Sequence, residues 1–206
     1  MRKIKKFKIP VYTYDILRKA KKRKIDLFAL GLAAQESARE YIASLAAAIE
    51  PAVVFDFLDP KDPLAKGPGP LEGGSLTLGA LTLGAPFADK LGGIKEPDLL
   101  RLAETAALVF GDTGLKVITE LISQESGMES FEPGDAAYLF ACPQPETEGR
   151  PSAANPGTAA AALARLQADK IGVGFENGTL SPKYSLLFAL PWLSRKKKKL
   201  SAAPGN

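Results

Sequence analysis

The sequence predicts an α+β fold: a mixed, mainly antiparallel twisted sheet with flanking helices. Short runs rich in β-branched and aromatic residues, such as "AVVFDFLD", read as strands. Other segments repeat apolar residues at helical spacing. The 16 prolines and 19 glycines lie mainly between these periodic stretches, as in a folded chain with long loops. With 206 residues, 46% of them apolar, the chain can bury a sizeable core.

"KFKIPVYTYDILRKAKKRK" opens with an extended piece that Pro10 confines to a sheet edge, followed by a short basic helix from about Thr13. From Ala34 to Glu50, apolar residues recur at Ala38, Tyr41, Ile42, Leu45 and Ile49, a helix that Pro51 ends. "AVVFDFLD" is a strand whose Asp56 and Asp59, three apart, face opposite ways and make no catalytic pair. Residues 60 to 74 are turn chemistry throughout, a long surface loop. In "SLTLGALTLGA", Gly79-Ala80 shifts the alternation by one residue, which predicts two short strands or one strand with a bulge. Residues 97 to 126 predict two helices broken near "GDTG", one striped by Leu99, Leu102, Ala106 and Val109, the other by Val117, Ile118, Leu121 and Ile122. "DAAYLFACP" is a strand, 145 to 157 a second long loop, and "TAAAALARLQAD" a short helix. "IGVGFENGTLSPKYSLLFAL" closes the fold as a hairpin turning at Asn177-Gly178, its second strand interrupted by Pro182.

Charge divides the chain. Residues 1 to 24 hold eleven bases against Asp15 alone, and residues 195 to 206 add five bases. Residues 25 to 194 hold eleven bases against twenty-two acids, a balance of −11. The organisation expected is therefore a basic N-terminal segment (1–24), a single α+β domain (25–194) and a basic C-terminal tail (195–206). Basic ends suit an anionic partner, and the simpler interpretation, favoured by the composition, is that they are solvated tails that keep the chain soluble. No aromatic platform accompanies the basic runs, so nucleic acid is the least favoured partner.

The absence of histidine excludes Ser-His-Asp and Cys-His triads and imidazole metal ligands; no catalytic residue and no metal site is expected. Carboxylate catalysis has no paired acids at convincing spacing to recommend it. A lone Cys142 gives no internal disulfide and suits a reducing, cytoplasmic setting. No apolar run reaches the ~18 residues of a transmembrane segment. "IDLFALGLAA" starts too late and carries Asp26, so it is not a leader's apolar stretch.

One arrangement has binding chemistry. Asn155-Pro156-Gly157-Thr158 leads into a helix whose first N–H groups are unpaired, and Arg150 just ahead can hold a carboxylate or phosphate by two parallel hydrogen bonds. Asn155 or Thr158 acting only as a helix cap, with Arg150 solvated, is the competing interpretation. Beyond Pro182, Lys183, Tyr184 and Ser185 form the other wall of one cleft, or else a sheet edge guarded by a lysine.

"NPGTAAAALARLQADKIGVGFENGTLSPKYSLLFAL" resembles the C-terminal signature of the cobalamin-dependent methionine synthase activation domain family. The matching pieces are Pro156-Gly157, the apolar helix face from Ala162 to Leu166, Ile171-Gly172-Val173, and Pro182 to Ser185. "GRPSAANPG" is similar to the family's arginine-bearing loop, while Thr158 stands where the family usually has tyrosine. The similarity covers roughly the last fifty residues of the fold. It implies an S-adenosylmethionine-binding accessory domain of a corrinoid methyltransferase rather than an independent catalyst, with cobalamin carried by the partner. It implies cofactor contacts from Arg150, Asn155, Pro156, Gly157, Thr158, Lys183, Tyr184 and Ser185. The alternative is an adaptor whose basic termini grip an acidic protein, membrane lipid or RNA.

Overall fold

A computed structural model describes residues 1–66, 75–125, 131–141 and 156–194. In chain order the elements are Arg2–Lys5 (β1), Thr13–Lys22 (α1), Gln35–Ala46 (α2), Ala52–Leu58 (β2), Leu76–Thr82 (β3), Ala85–Gly92 (α3), Pro97–Glu125 (α4), Phe131–Pro133 (β4), Ala137–Ala141 (β5), Pro156–Leu166 (α5), Gly174–Glu176 (β6), Thr179–Ser181 (β7) and Leu186–Ser194 (β8). The main sheet runs β1-β2-β3-β8-β4, with β5 also paired to β8; β6 and β7 form a separate ribbon. Every pairing among the described residues is antiparallel, so the α+β class stands.

Both faces of the sheet are covered, which is why its central strands read as continuous apolar runs rather than clean alternations. Val54, Leu78, Ala80, Leu187 and Ala189 pack with Ala159, Ala162, Leu163 and Leu166 of α5 on one face. Val53, Leu81, Leu186, Phe188 and Leu190 pack with Leu115, Ile118 and Ile122 of α4 on the other. Each fully buried Val, Leu, Ile or Phe among them contributes about 1.5–3 kcal/mol of transfer free energy. A third cluster joins α1, α2, α3 and the first half of α4 around Ile16, Ile42, Phe87 and Phe110.

Three expectations change. "SLTLGALT" is one unbroken strand: β3 keeps a continuous register with β2 from Leu76↔Leu58 to Thr82↔Ala52, and all seven of its residues are buried. Its apparent phase shift reflects burial on both faces, where alternation carries no information. Gly79 is there for space, because a β-carbon on it would lie 2.3 Å from Cζ of Phe188, its partner across β8.

The two helices expected over 97 to 126 are one helix of 29 residues. Gly111 and Gly114 face the core rather than breaking the helix, and Gly114 lets α4 approach Ile9 closely. The second stripe is accordingly Leu115, Ile118 and Ile122. At Gly111 a β-carbon would meet Leu186 Cδ2 at an ordinary 3.5 Å, whereas at Gly114 it would meet Ile9 Cδ1 at 3.1 Å. Gly111→Ala is therefore expected to raise the unfolding free energy by about 0.5–1 kcal/mol through helix propensity. Gly114→Ala should gain less or lose. Urea unfolding of the two variants checks this, and a loss at Gly111 would mean that the site has no room.

The closing hairpin is also two things. Asn177 (φ +51) and Gly178 (φ +78) make the tight turn expected of Asn-Gly, but β7 ends at Ser181 and pairs only with β6. The chain then passes the cis Ser181–Pro182 bond and Tyr184 (φ +71), and enters the main sheet as β8, between β3 on one side and β5 and β4 on the other. What looked like one interrupted strand is an outer ribbon strand and a central strand joined by a corner.

The basic N-terminal segment belongs to the same fold. β1 pairs with β2, Ile16 and Ala20 of α1 are fully buried, Lys19 pairs with Asp112 of α4 at 3.1 Å, and Arg23 Nη1 donates to Thr105 Oγ1 at 3.1 Å. The expected 60–74 loop is described only to residue 66. Cys142, most of the 145–157 loop and the 195–206 tail lie outside the described residues.

Candidate functional site

α5 starts at Pro156-Gly157, both exposed, and carries no acidic side chain in its first turn. Its first turn therefore brings no carboxylate of its own to the N–H end of the helix, the end whose partial charge favours anions. Arg150 and Asn155, the other two residues expected here, lie outside the described residues. The helix is held to the sheet by Ala159, Ala162, Leu163 and Leu166 and, near its other end, by Arg165 Nη2, 3.0 Å from Asp56 Oδ2. Asp56 thus serves an interface between helix and sheet. Asp59 Oδ1 instead accepts the Lys61 N–H at 2.9 Å within its turn, so the two acids work separately.

Lys183, Tyr184 and Ser185 occupy a different place. Tyr184 belongs to the cluster of α1 to α4, where its ring meets Phe87 edge-on at 6.1 Å. Its hydroxyl donates to Glu104 Oε1 of α4 at 3.0 Å, and Lys183 Nζ donates to the same oxygen at 3.3 Å. Lys183 Nζ also lies 5.0 Å from the centre of the Tyr184 ring. Ser185 Oγ, buried, donates to the Pro182 carbonyl at 2.7 Å and lies 2.9 Å from Thr82 Oγ1, which accepts the Gly84 N–H at 3.0 Å.

These three residues tie the corner before β8 to α4 and to the end of β3. Lys183 and Tyr184 meet Glu104 of α4, and Ser185 meets Thr82 at the end of β3, whereas α5 packs on the sheet through Ala159, Ala162, Leu163 and Leu166. The N-terminus of α5 is a further helix length, roughly 15 Å, from the end that leads through a 3₁₀ turn at Ala168–Ile171 toward Pro182. Arg150 and Asn155, which would complete the expected cleft between Pro156-Gly157 and Lys183 to Ser185, lie outside the described residues.

Burial, foremost, pushes the Tyr184 phenol up to about 12; Lys183 pulls against this and the Glu104 charge adds to it. For Lys183, burial alone would lower the ammonium pKa, but its bonds to Tyr184 and Glu104 hold it above the ordinary lysine value. At neutral pH the corner is therefore a lysine ammonium and a neutral phenol sharing one carboxylate, an arrangement suited to holding structure.

Pro182 itself lines a cavity of about 270 Å³ between Lys5, Lys6, Glu50, the Gly84 turn and Gly172. Gly84 (φ +96) is required there, since a β-carbon would lie 2.8 Å from the Glu50 carbonyl oxygen. The cavity is below the ~300–1,000 Å³ of ordinary small-molecule sites.

Glu104 and Thr82, which hold the corner, were missed from sequence. Glu104 had one signal, an acid set among apolar residues in "RLAETAALVF"; Thr82 had none. Among the described residues no group of three or more Asp, Glu, Cys or His side chains is placed to hold a metal ion, and no helix is long and apolar enough to cross a membrane. Comparison with models of known protein families finds no match, and comparison with curated protein sequences finds none either.

Proposed function

We propose that the chain is an S-adenosylmethionine-binding, activation-type domain that supports reductive remethylation of a cobalamin-dependent methyltransferase, with the cobalamin carried by that partner. The observation that carries the proposal is the exposed, acid-free start of α5 at Pro156-Gly157 within the stretch that resembles the activation domain family. A ligand carboxylate at this end gains from the aligned N–H groups and from a bidentate Arg150. The methyl of a sulfonium leaves without a protein base, so a chain with no histidine can serve this chemistry. On this reading Arg150, Asn155, Pro156, Gly157 and Thr158 contact the cofactor, while Lys183, Tyr184 and Ser185 fix the corner that sets β8 in the sheet.

Isothermal titration of the full chain with S-adenosylmethionine tests the proposal. Binding by the wild type, a loss of about tenfold or more in Arg150→Ala, and unchanged affinity in Lys183→Ala are expected. No binding by the wild type, or equal binding by Arg150→Ala, would sink it.

A further inference from the structure

α1 and α2 enclose an open groove of about 1150 Å³ that the cofactor reading does not use. Its floor is aliphatic, with Leu17 and Leu27 half-buried and Ile25 buried. Tyr12 and Tyr14 stand on its wall at 53% and 75% exposure, and Phe28 of the adjoining turn is 82% exposed. Apolar and aromatic surface this continuous is uncommon on a protein that meets only water.

The groove also has a sign. Arg18, Lys21 and Arg39 lie along it, with exposed Lys22 and Lys24 next to them. Of its two carboxylates, Asp15 is already paired with Arg18 at 2.9 Å, and Asp26 accepts the Phe28 and Ala29 N–H groups at 2.9 and 3.2 Å. Lys21, Lys22, Lys24 and Arg39 have no carboxylate within ion-pairing distance among the described residues. The occupant must therefore bring apolar knobs for the floor and carboxylates for the rim.

We propose that the α1–α2 groove docks an acidic amphipathic helix of a partner protein. A helix with leucines at i, i+3, i+4 and i+7 lays one face between two helices in the usual manner of helix-in-groove recognition, and its glutamates meet Lys21 and Arg39. A flat bilayer would not fill a concave floor. Nucleic acid would use Tyr12 and Tyr14 as stacking faces but would leave the aliphatic floor of Leu17, Ile25 and Leu27 without an apolar partner. Docking here is independent of cofactor binding at the far end of α5, so either can fail alone.

The test is fluorescence anisotropy of the full chain with a labelled peptide of about 14 residues, roughly four helical turns, bearing leucine at that spacing and glutamate elsewhere. Saturable binding that weakens with salt is expected, with an affinity loss of about tenfold or more in the Lys21→Glu/Arg39→Glu double variant. Tyr14→Ser, at so exposed a position, should fold normally and also weaken binding, which keeps the test valid if the charge variant misfolds. The same peptide with lysine in place of glutamate should not bind. The proposal is overturned by no binding of the glutamate peptide, by equal binding of the lysine peptide, or by equal binding to the charge-reversed chain. Failure to bind the glutamate peptide, combined with cosedimentation with phosphatidylserine vesicles or with self-association lost in Tyr14→Ser, would overturn it and reassign the face to a membrane or a second copy.

Discussion

Gly79→Ala is expected to lower the unfolding free energy by about 3 kcal/mol, the upper end of what an overpacked core costs. The added β-carbon would sit 2.3 to 2.9 Å from three ring atoms of Phe188. That ring cannot swing away, because Phe188 is fully buried on a strand flanked by β3 and β5 and lies over the α4 helix with Leu186 and Leu190. Phe188→Ala alone should cost about 3–5 kcal/mol, through lost transfer energy and the void left behind. The two residues share one space, so the effects should not add: Gly79→Ala in a Phe188→Leu background should cost clearly less than in the wild type. Urea denaturation of the four chains measures the coupling. Additive effects would mean that Phe188 relaxes away from Gly79 freely.

Phe87→Ala is the second large effect, also about 3–5 kcal/mol. Phe87 is fully buried and meets Phe110 and Tyr184 edge-on, with ring centres 6.0 and 6.1 Å apart, so its loss opens the contact between α3, α4 and the corner before β8. The same change has a titration signature. Tyr184 has its pKa raised to about 12 from the ordinary 10.0, first by burial and then by Glu104. Burial likewise raises Tyr41 to about 12, with the Glu96 charge adding to it. In both the folded state holds the proton more tightly than the unfolded chain. The stabilisation is therefore fully present below pH 10 and is lost as pH rises from about 10 to about 12. Phe87→Ala should let water reach Tyr184 and return its phenol toward 10, while Tyr41 stays high. Phenolate absorbance of Phe87→Ala, with and without Tyr184→Phe, separates the two. An unchanged Tyr184 titration would show that Phe87 does not shield it.

The two faces of the sheet explain which expectations survived. α2, β2, α5 and the Asn177-Gly178 turn were legible because each rests on a local rule: helical spacing before Pro51, a β-branched run, an apolar helix face, and a dipeptide that accepts positive φ. β3 and α4 were not, because glycine has two meanings that differ only in three dimensions. Gly79, Gly111 and Gly114 punctuate nothing: Gly79 and Gly114 make room for Phe188 and Ile9, neighbours distant in sequence, and Gly111 lies inside an unbroken helix. The contacts of Lys183 and Tyr184 were hidden for a related reason: the corner at Pro182 carries the chain from the outer ribbon into the centre of the sheet, and Glu104, some eighty residues earlier, claims both side chains.

By itself, then, the sequence determined the α+β class, most of the element order, the basic face of α1 and the lack of imidazole chemistry, since these follow from composition and short-range periodicity. Only the tertiary structure decided that "SLTLGALT" is one strand and residues 97 to 125 one helix, that the basic N-terminus packs as part of the body, and that Tyr12 and Tyr14 stand beside its positive charges on an apolar groove. Those outcomes depend on which surfaces meet across the sheet, and that information lies in pairs of residues far apart in the chain rather than in any local stretch of it.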